Sequence, residues 1–156
     1  MYNVNLSNID THVTDMNTNE DIDEILRGEI SAADAYEQVQ EKITDDPEAY
    51  RLMQFKLDHE NAVQFWKKEA KVSGSRPVDS SSIWGAIVET FVGTSKLIGE
   101  ETALKALKKG EEHGLSNYEK MLDSDKLTES QKECIEKTFI PRQKRHIETI
   151  NAILNL

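Results

Sequence analysis

Residues Arg27–Val39 read RGEISAADAYEQV, and residues Lys109–Met121 read KGEEHGLSNYEKM. Both run basic residue, glycine, glutamate, six residues, tyrosine, glutamate, a polar residue and an apolar one. In the first stretch Ile22, Glu29, Tyr36 and Ile43 advance by sevens, with Ile25, Ala32 or Ala33, and Val39 between them. That is the spacing of one helix face, so Glu29 occupies a core-facing position of an otherwise apolar stripe. In the second stretch Leu104, Glu111 and Tyr118 do the same, flanked by Leu107, Gly114 and Met121. Two helices that each aim a glutamate and a tyrosine inward, far apart in the chain, are the pattern of a duplicated helical hairpin.

Working outward, each repeat has a partner helix. The first helix is expected to start near Thr18 or Asn19, where Thr18 and Asp21 are spaced as a capping box, and to end near Thr44. Asp46 as N-cap, Pro47 at the first helical position and Glu48 in the first turn open a second helix that should reach about Val72. Ala49, Leu52, Phe55, Ala62, Val63, Trp66 and Ala70 share one face of it, with His59 near the centre. Residues 73–82 (SGSRPVDSSS) form a loop. The apolar piece IWGAIVETFVGTSKLI (83–98) then predicts a short helix that carries the chain back along the bundle. A third long helix follows Gly99. Thr128 and Gln131 are spaced as a capping box for a fourth, on which Ile135, Phe139, Ile150 and Ile153 share a face with His146 near its centre, and Pro141 should kink it.

The composition agrees. With 7 glycines and 3 prolines in 156 residues there is little turn chemistry, and the expected fold is all-α. One domain over 19–156, preceded by a polar arm (1–18) outside the core, fits this length. A formal net charge of -10 argues against nucleic acid or an anionic membrane as partner. No stretch reaches the roughly 18–20 apolar residues of a membrane span, and the N-terminal residues lack a signal-peptide pattern. Cys134 is the single cysteine, so a reducing, cytoplasmic setting is expected, and its surroundings do not mark a catalytic thiol. Glycine-rich phosphate loops, nucleophile elbows and paired Cys or His-Glu-x-x-His motifs are absent.

Counted from the ends of their helices, Glu29, His59, Glu111 and His146 fall within two or three turns of one another along the axis. They are the candidate metal ligands. Carboxylate-bridged di-metal bundles add a glutamate three residues before each histidine, but here those positions are Lys56 and Gln143. A core polar network of Tyr36, Lys56, Glu60, Glu112, Tyr118, Arg142 and Gln143 is therefore the favoured expectation, with Lys56 and Arg142 neutralising the core acids and no metal required.

Residues 20–154 resemble a bacterial family of ferritin-like four-helix proteins of unknown function, related in architecture to ferritins, bacterioferritins and rubrerythrins. The resemblance is carried by GEEHGLSNYEKML (Gly110–Leu122), by the Ser-rich loop and Trp84 after the second helix, and by the late His146. It implies a ferritin-like bundle whose third helix runs parallel to the second, in a family that often loses the complete ligand set. The leading functional expectation is a binding or stress-related protein, not an enzyme, with a homodimer as the candidate assembly. The rival is an Fe- or Mn-dependent oxidase or iron-handling protein using Glu29, His59, Glu111 and His146. A third is a partner-binding surface at Trp84, Phe91 and Ile98. Tyr36, Tyr118, Trp66 and Trp84 are expected to pack, and His12 and His113 to be solvated.

Overall fold

A computed structural model describes residues 19–41, 43, 46–79 and 99–155. The helices are α1 (Glu20–Gln40), α2 (Asp46–Val72), α3 (Glu100–Met121), α4 (Glu129–Cys134), a π-helical turn (Ile135–Phe139) and α5 (Ile140–Leu154). The last three follow without a break and form one long fourth helix. Among the described residues there is no strand, and no helix is long and apolar enough to cross a membrane.

Local signals set the ends. Asn19 caps α1 by accepting from the Ile22 N–H, and Glu20, Asp21 and Asp23 place acids in its first turn. Helix α1 stops at Gln40 instead of Thr44, although Ile43 is still buried. Helix α2 ends where Gly74 takes a left-handed φ of 79°. The Ser75 N–H then reaches back to the Ala70 carbonyl and the Gly74 N–H to that of Lys71, a pair of bonds that satisfies the final turn. Thr128 and Gln131 form the full reciprocal capping box of α4. Pro141 lies in the first turn of α5, directly after the π-helical turn. The disturbance expected from a missing backbone donor therefore takes the form of a wider helical turn just ahead of it.

The helices pack as two hairpins, α1 with α2 and α3 with the fourth helix, joined chiefly through α1 against α3. Cross-helix contacts fix their directions. Glu29 meets Tyr118 while Tyr36 meets Glu111, so α1 and α3 are antiparallel. His59 meets Glu111 and Trp66 meets Tyr118, so α2 and α3 run parallel. His146 meets Glu111 while Phe139 stacks on Tyr118, so the fourth helix opposes α3. Parallel neighbours in sequence require a connection spanning the length of the bundle, and that connection (80–98), with Trp84, Phe91 and Ile98, lies outside the described residues. So does the N-terminal arm (1–18), with Thr18 and His12.

Among the described residues, two apolar clusters fill the interior. One, at the end where the chain enters α1, gathers Ile22, Leu26, Trp66, Met121, Ile135 and Phe139. The other, at the opposite end, gathers Val39, Ile43, Leu52, Phe55, Leu104 and Ile150. Between them sit the buried polar residues Glu29, His59, Glu111, Gln143 and His146. Thr128→Ala removes one half of the α4 capping box while leaving both clusters intact. It should lower unfolding stability by about 1 kcal/mol in urea titration, with the slope unchanged.

Candidate metal centre

All four candidate ligands converge, each at most 4% exposed. The arrangement follows from spacings of seven on every helix. Tyr36, His59, Glu111 and His146 make one layer across the bundle, and Glu29, Trp66, Tyr118 and Phe139 make the next. The two helices make a reciprocal exchange, in which the Tyr36 hydroxyl donates to Glu111 at 2.5 Å and the Tyr118 hydroxyl donates to Glu29. Burial, reinforced by the adjoining carboxylate charge, raises both phenols well above their ordinary range, so they stay protonated donors.

Glu111 is the centre. Its Oε1 lies 2.5 Å from the Tyr36 hydroxyl, 3.0 Å from His59 Nε2 and 3.0 Å from His146 Nδ1. Its Oε2 is buried with no partner. His59, Glu111 and His146 offer one ligand atom each, all within 4.8 Å of one another. Each ring is held from behind by a second carboxylate. His59 Nδ1 lies 2.7 Å from Glu29 Oε2, and His146 Nε2 lies 3.0 Å from Asp58 Oδ2. Asp58 is fixed in turn by Arg145 at 3.1 Å and by Arg142, which donates to its backbone carbonyl at 3.0 Å. The rings are clamped by stacking, His146 on Phe55 at 4.0 Å between centroids and His59 on Tyr36 at 5.4 Å.

The neutralising residues expected from sequence are placed elsewhere. Lys56 pairs with Glu37 and Glu60 near the surface, at 3.5 and 3.6 Å, because it sits three residues before His59 and so on the flank toward α1. Glu60 is exposed, and Glu112 is exposed beside Lys108. Arg142 serves Asp58 and lies over the Phe139 ring, not against Glu29 or Glu111. Of that expected network, Tyr36, Tyr118 and Gln143 are in the core. Gln143 fits because Gly114 faces it: a Cβ there would lie 2.7 Å from the amide nitrogen. Asp58 was not singled out in sequence. Its signal was present in the acid beside His59 and the arginine beside His146, which pair across the two helices.

Without the lysine, the core carboxylates are faced by the His59 imidazole. Burial works against charge on His59, but the Glu111 and Glu29 carboxylates outweigh it and raise its pKa from 6.5 to about 10. Burial likewise works against charge on Glu111, yet the His59 charge and the bonds from His146 and His59 lower it from 4.5 to about 2. Between α1 and α3 a cavity of about 390 Å³ leads down to Glu29, Tyr36, His59, Glu111 and Tyr118.

What fold and centre define together is an all-helical protein with a buried histidine–carboxylate cluster. The chain belongs to the family described as a domain of unknown function, DUF2383, whose model matches residues 8–124. The match takes in Glu29, His59 and Glu111, while His146 lies beyond it. No curated protein and no solved structure matches the chain.

The paired shifts set a stability window. His59 binds its proton more tightly folded than unfolded, so its contribution is complete below pH 6.5 and is lost as pH rises toward 10. Glu111 holds its charge to lower pH when folded, so its contribution is complete above pH 4.5 and is lost as pH falls toward 2. Urea midpoints of metal-free protein should therefore be highest between these limits and decline on both sides. His59→Gln should flatten the decline between pH 6.5 and 10.

Proposed function

We propose that this is a ferritin-like bundle protein that binds one divalent transition-metal ion per chain through His59, Glu111 and His146. The observation that carries the proposal is the convergence of those three side chains within 4.8 Å, each ring oriented by a carboxylate on its far nitrogen. Imidazole with carboxylate suits iron(II), manganese(II) or zinc(II), and two histidines with one carboxylate leave positions free on the ion. A carboxylate behind each ligating ring is the usual orienting arrangement, here Glu29 for His59 and Asp58 for His146. The partnerless Glu111 Oε2 gives the ion a second oxygen in a buried place.

Charge supports the same reading. Two core carboxylates, Glu29 and Glu111, match a dication. In its absence, the proton on His59 does the balancing, so ion and proton compete for one place. The two-ion centre of the ferritin relatives does not fit these residues. Lys56 is engaged with Glu37 and Glu60, and Gln143 packs against Gly114, so a second ion lacks its own chelating glutamates. The ferritin-like assignment draws support from the parallel α2 and α3, and from the long connection such a pair demands. The role proposed is metal binding, with no reaction assigned.

Protein purified without chelator, or stripped and reloaded, should carry close to one equivalent of iron, manganese or zinc by elemental analysis. His59→Ala and His146→Ala should lose it, Lys56→Ala should keep it, and Asp58→Asn should bind roughly 10- to 100-fold more weakly. A folded wild-type protein that takes up none of these ions would leave the cluster as a proton-balanced polar network and overturn the proposal.

A further inference from the structure

Helix α1 is buried on a side where none of the described helices packs. Ser31 stands nine residues after Ile22, about two and a half helical turns, so it lies on the side of α1 opposite the core stripe of Ile22, Glu29 and Tyr36. A residue there is expected to meet water, and Glu24, two turns earlier on that side, is exposed. Ser31 is only 5% exposed. The neighbouring helices meet α1 elsewhere, α2 through Lys56 and Glu37, and α3 through the exchange of Glu29 and Tyr36 with Tyr118 and Glu111. The cover over Ser31 therefore comes from chain outside the described residues.

The same side of α1 forms one wall of the cavity between α1 and α3, which runs as a trough from Glu24 to Val39 on α1 and from Tyr118 to Thr102 on α3. At 1.5 Å per residue that is roughly 22–24 Å of each helix. Small residues line it, Gly28, Ala32 and Ala35 on α1 and Ala103, Ala106 and Gly110 on α3, which leaves room for a row of large side chains. The chain outside the structure stops at both ends of this trough. After α2, the Asn19 N–H donates to Ser75 Oγ beside the start of α1, and Asp79 pairs with Lys67 at 3.2 Å. Lys67 is three turns beyond Lys56, on the flank of α2 that faces α1, so the chain departs on the α1 side. It returns at Gly99, the N-cap of α3, at the far end. We infer that residues 83–98 dock as a helix in the trough between α1 and α3, with large apolar side chains against its small-residue walls. Sixteen helical residues span roughly 24 Å, the length of the trough. Trp84, Ile87, Val88, Phe91 and Ile98 are spaced three, four and seven apart, and Glu89 and Lys96 are the only charges of the segment in a chain that is 31% charged. The polar arm (1–18) has no such spacing. Trp84, Phe91 and Ile98 are then used within the chain, not as a surface for a partner.

The test is thiol labelling of the full chain in EDTA, with Cys134→Ser as background, so that its outcome does not depend on the metal proposal. Ser31→Cys should react with a maleimide at least about tenfold more slowly than Asp34→Cys, an exposed position on the same helix. Adding Phe91→Asp should bring the two rates together while the helical circular dichroism is retained. Equal rates before that change would show that the face is open and overturn the inference. Protection of Ser31→Cys that persists with Phe91→Asp, or that fades on dilution, would give the cover to the N-terminal arm or to a second copy and overturn it as well. If Phe91→Asp folds poorly, Ala106→Trp fills the trough from the α3 side instead. It should speed amide exchange in peptides covering 83–98 and leave α2 unchanged, and unaltered exchange in 83–98 would contradict docking.

Discussion

The rest of the structure is arranged around one carboxylate oxygen that receives three donors. Glu111 Oε1 is met by a tyrosine from α1, a histidine from α2 and a histidine from the fourth helix, so each of the other three long helices sends one side chain to α3 at the same level. A buried charge without such company would cost several kcal/mol. The register of all four helices is therefore tied to this point, and a slip of one residue on any of them would carry its donor away from the acid. The apolar clusters at either end hold the helices together without choosing among registers, whereas the polar layer chooses one.

The second carboxylate shows how far the two halves correspond. Glu29 accepts from His59 and Tyr118 as Glu111 accepts from His146 and Tyr36, which is the relation expected of two similar hairpins set face to face. The correspondence breaks at His59, whose second nitrogen turns to Glu111, and at His146, whose second nitrogen turns to Asp58. This asymmetry makes Glu111 a member of the three-atom cluster and leaves Glu29 behind a ring.

Much of this was legible in the sequence because it depends on helical period. Glu29 and Tyr36, and Glu111 and Tyr118, are seven apart within apolar stripes, and the Thr128–Gln131 capping box and the Asp46–Pro47 start are local signals that need no tertiary partner. The error lay in the flanks. Lys56 and Arg142 sit near the core faces of their helices, and charge alone suggested that they neutralise the acids. Their long side chains instead follow the helix surface to Glu37, Glu60 and Asp58, where the charges keep contact with water. Asp58 was missed for the matching reason. A flank position carries no periodic mark, and its importance arises only when the fourth helix brings His146 and Arg145 against it.

The central claim is that Glu111, His59 and His146 form one binding centre. X-ray absorption at the metal edge of the full chain loaded with a single equivalent of zinc tests it most directly. The account predicts scattering from two imidazole rings together with carboxylate oxygen, and loss of one ring's contribution in His146→Ala. A first shell of oxygen alone, or one unchanged by that substitution, would place the ion elsewhere and contradict it.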